Sequence, residues 1–326
     1  MCASCGMEKF FCCAAMLAAL SISSCLKEQV QSGNDNLVNL TISIPQTASK
    51  VVDASSSDED RILDSQVFVF GTGGVLEAYA KDDATTLTLG VAAGTKNIYA
   101  LVNAPDLSRI SSEKELVSYE TILSDNQTDK FVMFGALLDE PVSSSRGSKT
   151  VHVSRVVAKV ILQGIRRQFS SPSLAAKSFT VDAVYLTGVA GNAILDNARL
   201  QGGEPSRRIW YNKQQYVPGE CSSLLFDAVG QALANGEELS TVHCFYPYPN
   251  PDKTTMLVIE ATLGGEKTYY PVYLPALQSN RVYIISNFTL TRKGSDKPWQ
   301  PVEDDQVTFS IVPEQWQAGA TWSETI

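Results

Sequence analysis

Histidine is nearly absent from this sequence: 326 residues contain two, His152 and His243. No H-E-x-x-H zinc signature, G-x-S-x-G nucleophile turn or phosphate-binding loop occurs. The closest string, "GGEKT" at Gly264 to Thr268, lacks the glycine frame that cradles phosphate and reads as a hairpin turn. His152 alternates with Val151 and Val153 and belongs to a polar strand face. His243 stands beside Cys244, but adjacent strand residues point to opposite faces, so the two do not make a nucleophile and its base. No catalytic constellation or cofactor site is expected; an exported hydrolase is the most distant reading.

Positive charge is also short. Lys and Arg number 26 against 35 Asp and Glu, a net charge of -9 with a pI near 4.9. That balance argues against a nucleic-acid partner, which would call for a basic face, and suits an exported, soluble surface. No repeat of 20 to 50 residues stands out, so a solenoid is not indicated.

Long hydrophobic runs are missing as well. A permanent transmembrane helix takes about 20 apolar residues, and the run from Phe10 to Leu20 is shorter. It follows Lys9 and leads through small residues to Cys25, the layout of an export signal. Ile22-Ser23-Ser24-Cys25 resembles a bacterial lipobox, in which the cysteine is lipidated and becomes the new N-terminus. The expected organisation is a signal peptide over 1–24, lipid on Cys25 and a polar tether over 25–36; the alternative is a signal without lipid. Of seven cysteines this leaves Cys221 and Cys244 in an oxidising compartment. Two readings stand for them: a disulfide, worth about 3 kcal/mol in the chain-entropy model, or two separate buried thiols.

What is abundant is period-two alternation. Val38, Leu40, Ile42 and Ile44 alternate with Asn39, Thr41 and Ser43 until Pro45 stops the run. A polar loop from Gln46 to Asp60 follows, with Lys50 inside it and Arg61 at its far end. Val67 to Phe70, a glycine-rich turn and Val75 to Tyr79 read as a hairpin. Two more strands flank Gly94, and "KFVMFGALL" and "TVHVSRVVAKVIL" are further strands. Ser111 to Leu123 is the best helix candidate, capped by Ser112 with Leu116, Tyr119 and Leu123 on one face. "RRQFSSPSLAAKS", Arg166 to Ser178, reads as a domain boundary. The pattern predicts an all-β chain of two consecutive β-sandwiches (Greek-key or transthyretin-like) with few short helices, over 37–167 and 168–326.

Two further groups invite a binding role. Asp58-Glu59-Asp60 and Glu303-Asp304-Asp305 hold the oxygens Ca²⁺ wants but not the loop spacing, so both are read as solvated charge. Aromatics gather around Trp210, in "FYPYPNP" with Tyr246 and Tyr248, and in "TYYPVY". Such rings stack sugars or pack in cores, and packing is the favoured reading.

Several strings then act together. "GTKNIYALVNAP", "HVSRVVAKVIL", "FYPYPNP" and "RVYIISNFTLTRKGSDKPWQPVEDDQVTFSIVPEQW" follow the lipobox and the first alternating strand in that order. From about residue 37 to the end the chain resembles the fimbrillins of the FimA/Mfa type, subunits of type V pili in Gram-negative anaerobes.

The resemblance implies a structural subunit of a fimbrium, located at the outer membrane and cell surface and contributing to adhesion. It implies export as a lipoprotein held by Cys25, a processing protease that cuts the loop after the first strand, and like or unlike pilus subunits as partners. The strand lost would be Val38, Leu40, Ile42 and Ile44; the donor that replaces it in the next subunit would be Val307, Phe309, Ile311 and Trp316. Strand addition of this kind supplies main-chain hydrogen bonds and pockets for alternate side chains. Against this, Val307 to Val312 is simply the last strand of its own sheet. The loop offers Lys50 where the family pattern expects Arg, and Arg61 abuts the next strand, so cleavage at Lys50, at Arg61 or not at all stays open, as do shaft, tip and base positions. An uncut chain would suit the pilus anchor. The competing class is a monomeric surface lipoprotein that captures host glycans or proteins.

Overall fold

Alternating apolar residues become strands because one row of side chains can then be buried while every backbone group is paired. The computed structural model describes residues 37–45, 59–143, 147–195, 210–211, 224–302 and 307–316. Its strands are β1 (Leu37–Ser43), β2 (Ser65–Gly71), β3 (Leu76–Asp82), β4 (Thr86–Ala92), β5 (Gly94–Val102), β6 (Glu120–Ile122), β7 (Met133–Val142), β8 (Gly147–Thr150), β9 (Ser154–Arg155), β10 (Lys159–Leu162), β11 (Ile165–Arg167), β12 (Phe179–Thr187), β13 (Val189–Ala190), β14 (Asn192–Ile194), β15 (Trp210–Tyr211), β16 (Phe226–Ala232), β17 (Glu238–Leu239), β18 (His243–Phe245), β19 (Met256–Leu263), β20 (Glu266–Tyr273), β21 (Arg281–Leu290) and β22 (Val307–Gln315). Helices α1 (Glu113–Val117) and α2 (Pro172–Ala175) are short, and no described helix is long and apolar enough to cross a membrane. The fold is all-β.

Two sheets enclose the first core. One has the order β4-β1-β8, the other β3-β2-β5-β7-β9. Val38, Leu40, Ile42 and Ile44 meet Leu87, Leu89 and Val91 of β4 and, opposite them, Val67, Val69, Ile98, Ala100 and Val102. The other face of β2 and β5, with Phe68, Phe70, Tyr99 and Leu101, joins a larger core built on the remaining sheets. In those, β21 runs parallel to β10 and β11 and antiparallel to β22, while β16-β12-β19-β20 form a separate antiparallel sheet. Strands at 159–167 thus pair with one at 281–290, and that sheet draws on both sides of residue 168.

Two expectations need correcting, the helix and one long strand. The helix is one turn rather than thirteen residues. Ser112 caps it with a reciprocal Glu115 bond, but Glu120–Ile122 pairs with β14, and that tertiary ladder ends it. "TVHVSRVVAKVIL" is not one strand but contributes to β8, β9 and β10, which pair with β1, β7 and β21 respectively. The stretch read as a boundary holds β11 and α2. There Arg167 is buried and donates to the carbonyls of Leu233, Leu174, Ala175 and Lys177, satisfying the end of the short helix.

Candidate assembly site

The first strand lies in the middle of its sheet. β1 pairs antiparallel with β4 along its whole length, Val38 opposite Val91, Leu40 opposite Leu89, Ile42 opposite Leu87. On its other side Leu40 to Ser43 pair in parallel with Gly147 to Thr150. Ile44 N–H donates to Thr85 carbonyl at 2.8 Å and Val151 N–H to Ser43 carbonyl at 2.9 Å, extending the ladder at the strand's end. Leu40 and Ile42 are 0% exposed, and Val38 and Ile44 are buried beside them. The fit is close on the β8 side, where a Cβ on Gly147 would stand 3.1 Å from Leu40 Cδ1. Taking β1 away would open a slot between β4 and β8, lined by apolar residues and bordered by unpaired backbone on both sides.

The chain re-enters the described structure at Glu59, and there it is pinned. Glu59 and Asp60 are buried, which corrects their reading as solvated charge; Asp58 and the Glu303-Asp304-Asp305 cluster lie outside the described residues. A buried carboxylate needs a counter-charge, and two cations from a distant stretch supply it. Lys159 Nζ, at 0% exposure, donates to Glu59 Oε1 at 2.7 Å, and Arg155 pairs with Asp60. Arg155 Nε also donates to the Glu59 carbonyl at 3.2 Å, and Tyr246 OH to Glu59 Oε1 at 2.5 Å. Burial lowers the Arg155 pKa to about 10, with Glu59 and Tyr246 working against the fall. Burial and the Glu59 carboxylate push the Tyr246 phenol upward.

Two residues on, Asn103 holds the backbone. Its Nδ2 donates to the Arg61 carbonyl at 2.7 Å and to Phe131 carbonyl at 3.1 Å, and its Oδ1 accepts from Leu63 N–H at 2.8 Å. Asn103 does this from φ 57, a left-handed conformation Asn tolerates better than most residues. The Arg61 side chain is exposed, while its carbonyl and the Leu63 N–H two residues on are both bonded to Asn103.

The C-terminal strand reaches the same place. β22 pairs with β21 and with no other described strand. Val307 is buried, Ile311 half-buried, and Phe309 is 37% exposed, stacked on Phe288 at 5.4 Å. Beyond it Trp316 turns inward at 2% exposure. Its ring stacks on Tyr246, meets Phe131 edge-on, and lies 4.3 Å from the Arg155 guanidinium and 5.8 Å from Lys159 Nζ. Trp316 N–H donates to Asn280 carbonyl at 3.2 Å, while its indole N–H finds no partner among the described residues.

In the sequence, β1, Arg61, the β22 stripe and Trp316 are linked only through processing and strand exchange between subunits, and that link does not point to Arg155, Lys159 and Asn103. The signal was present: a charge inside an apolar strand string, as in "SRVVAKV", asks for a buried partner. Tyr246 and Tyr248 offer no platform to a sugar. Both are buried, and Tyr248 OH contacts Thr121 at 3.1 Å and Asn126 at 3.0 Å. His152 is exposed, and His243 is buried with Nδ1 2.7 Å from Asp227 Oδ2. Cys244 is half-buried. Cys25, Lys50, Cys221 and the side chain of Trp210 lie outside the described residues, and among those described no group of three or more His, Cys, Asp or Glu is placed to hold a metal.

No family model and no curated protein matches the chain. Solved structures do. A Bacteroides eggerthii protein named for cell adhesion is 21% identical over 87% of this chain and 98% of its own, with a TM-score of 0.67. A Parabacteroides distasonis protein similarly named is 16% identical over 88% and 99%, TM-score 0.63. A Porphyromonas gingivalis fimbrilin is 17% identical over 87% and 99%, TM-score 0.62. The chain has the all-β fold these three structures share.

Proposed function

We propose that the chain is a structural subunit of a cell-surface pilus, not an enzyme, exported as a lipoprotein on Cys25 and assembled by exchange of its first strand. The observation that carries this is β1, an apolar strand seated between two others at the start of the described chain. A strand so placed leaves, once removed, a slot with two open backbone edges that a strand from another subunit can fill. The fold shared with a fimbrilin supports the reading. Organisation into two β-sandwich domains, 37–167 and 168–326, is part of the same proposal, with β10 and β11 reaching across to pair in the second.

A protease takes several residues of substrate in extended form. Glu59, Asp60 and the Asn103-bound backbone at Arg61 are not free to adopt it, so processing falls upstream of Glu59, with Lys50 as the candidate. The donor is the stripe Val307, Phe309 and Ile311, which must leave β21 to enter the next subunit. Partners are other subunits, like or unlike, and the processing protease; adhesion follows from the filament. A chain left uncut would retain its lipid and serve as the anchor.

Intact mass and N-terminal sequencing of protein from the cell surface test the processing step; a lipidated Cys25 on every filament subunit would overturn it. Phe309→Lys tests the donor. Its side chain is partly exposed in the monomer, so folding is retained, whereas a charge cannot enter an apolar slot. Filaments at normal yield would refute the assignment.

A further inference from the structure

We propose that the Glu59-Asp60 turn is an ionic latch that keeps the C-terminal strand β22 seated in its own chain. Arg155 and Lys159 stand four positions apart, one in β9 of the first sheet pair and the other in β10 of the second. Their counter-charges, Asp60 and Glu59, come from the turn that precedes β2. Removing one side of a buried ion pair leaves a charge without compensation, which costs far more than removing both. Relief requires water, and the element that gives way is Trp316. Phe131 and Tyr246 lie within the body of the chain, whereas Trp316 lies at the end of an edge strand. It is held by the Asn280 carbonyl, by Arg155 Nη1 donating to its own carbonyl at 3.4 Å, and by the two cations at its ring. Its buried indole N–H, unpaired among the described residues, already counts against the docked state. Neutralising the turn therefore withdraws the order of both cations and frees the strand they hold.

The position of the cut decides whether the latch survives processing. A cut upstream of Glu59 leaves both carboxylates on the body and the strand held. A cut after Arg61 removes them together. That bearing on assembly rests on the strand-exchange reading; the latch itself is a property of the monomer and is tested there.

The test is hydrogen exchange on the full chain carrying Glu59→Gln and Asp60→Asn. Amides over 307–316 should exchange roughly tenfold faster or more, with β2 and β5 unchanged. Unchanged exchange over 307–316, or equal acceleration in every sheet, would overturn the proposal. A second variant, Glu59→Leu with Lys159→Met, removes charge from both sides of one pair, leaves Asp60 with Arg155, and should loosen β22 much less than the first. If β22 loosens there by the same factor, shape and not charge pairing holds it, and the latch is refuted. Neither readout depends on filament formation.

Discussion

A chain lacking residues 37–45 should lose most of the stability of its first sheet pair. Val38, Leu40, Ile42 and Ile44 are all buried in the core between the two sheets. Fully burying such a side chain contributes about 1.5–3 kcal/mol, so the four contribute about 6–12 kcal/mol, an upper figure because unfolded chains already hide part of this surface. A whole domain is typically stable by about 5–15 kcal/mol. Deletion also leaves β4 and β8 with unpaired edges. The assay is a thermal melt of the deleted chain followed by circular dichroism, with and without a synthetic peptide of residues 37–45. The deleted chain should melt far lower or aggregate, and the peptide should restore the transition. A peptide carrying Leu40→Asp and Ile42→Asp should not. A deleted chain that stays monomeric and melts with the parent would refute the reasoning, because β1 would then not be what fills the slot.

Leu40→Ala should cost about 2–5 kcal/mol in urea unfolding, whereas Phe309→Ala, partly exposed on an edge strand, should cost markedly less; equal costs would show that β22 packs as firmly as β1. Gly135→Ala in β7 should destabilise by more than about 2 kcal/mol, because its Cβ would lie 2.1 Å from the His152 carbonyl oxygen, and a melt unchanged from the parent would contradict that close approach. The Glu115 carboxyl is held below its ordinary 4.5 by accepting the Ser111 and Ser112 N–H groups. Its contribution to the α1 cap is therefore complete above that value and fades as pH falls through the lowered pKa; a carbon-detected NMR titration with a midpoint at or above 4.5 would refute the capping geometry.

Much of this was legible in the sequence because it depends on near neighbours. The β1 stripe, the 67–79 hairpin and the Ser112 cap are set by alternation, by turn glycines and by a side chain three residues from its target. The helix beyond Val117 was not legible, since its end is fixed by pairing with a strand some seventy residues later. Nor was the burial of Glu59 and Asp60. Whether a carboxylate is solvated or paired depends on what lies opposite, and here that is Lys159, 100 positions along the chain. The aromatic strings were ambiguous for the same reason: a tyrosine reads alike whether its ring faces water or Trp316. The sequence by itself determined an all-β chain, an apolar first strand and an apolar last one. The tertiary structure alone decided that the first lies in the middle of a sheet, the last at an edge, and that one buried ion-pair cluster joins the turn before β2 to the end of the last, because sheet position and charge compensation are settled by partners far apart in the chain.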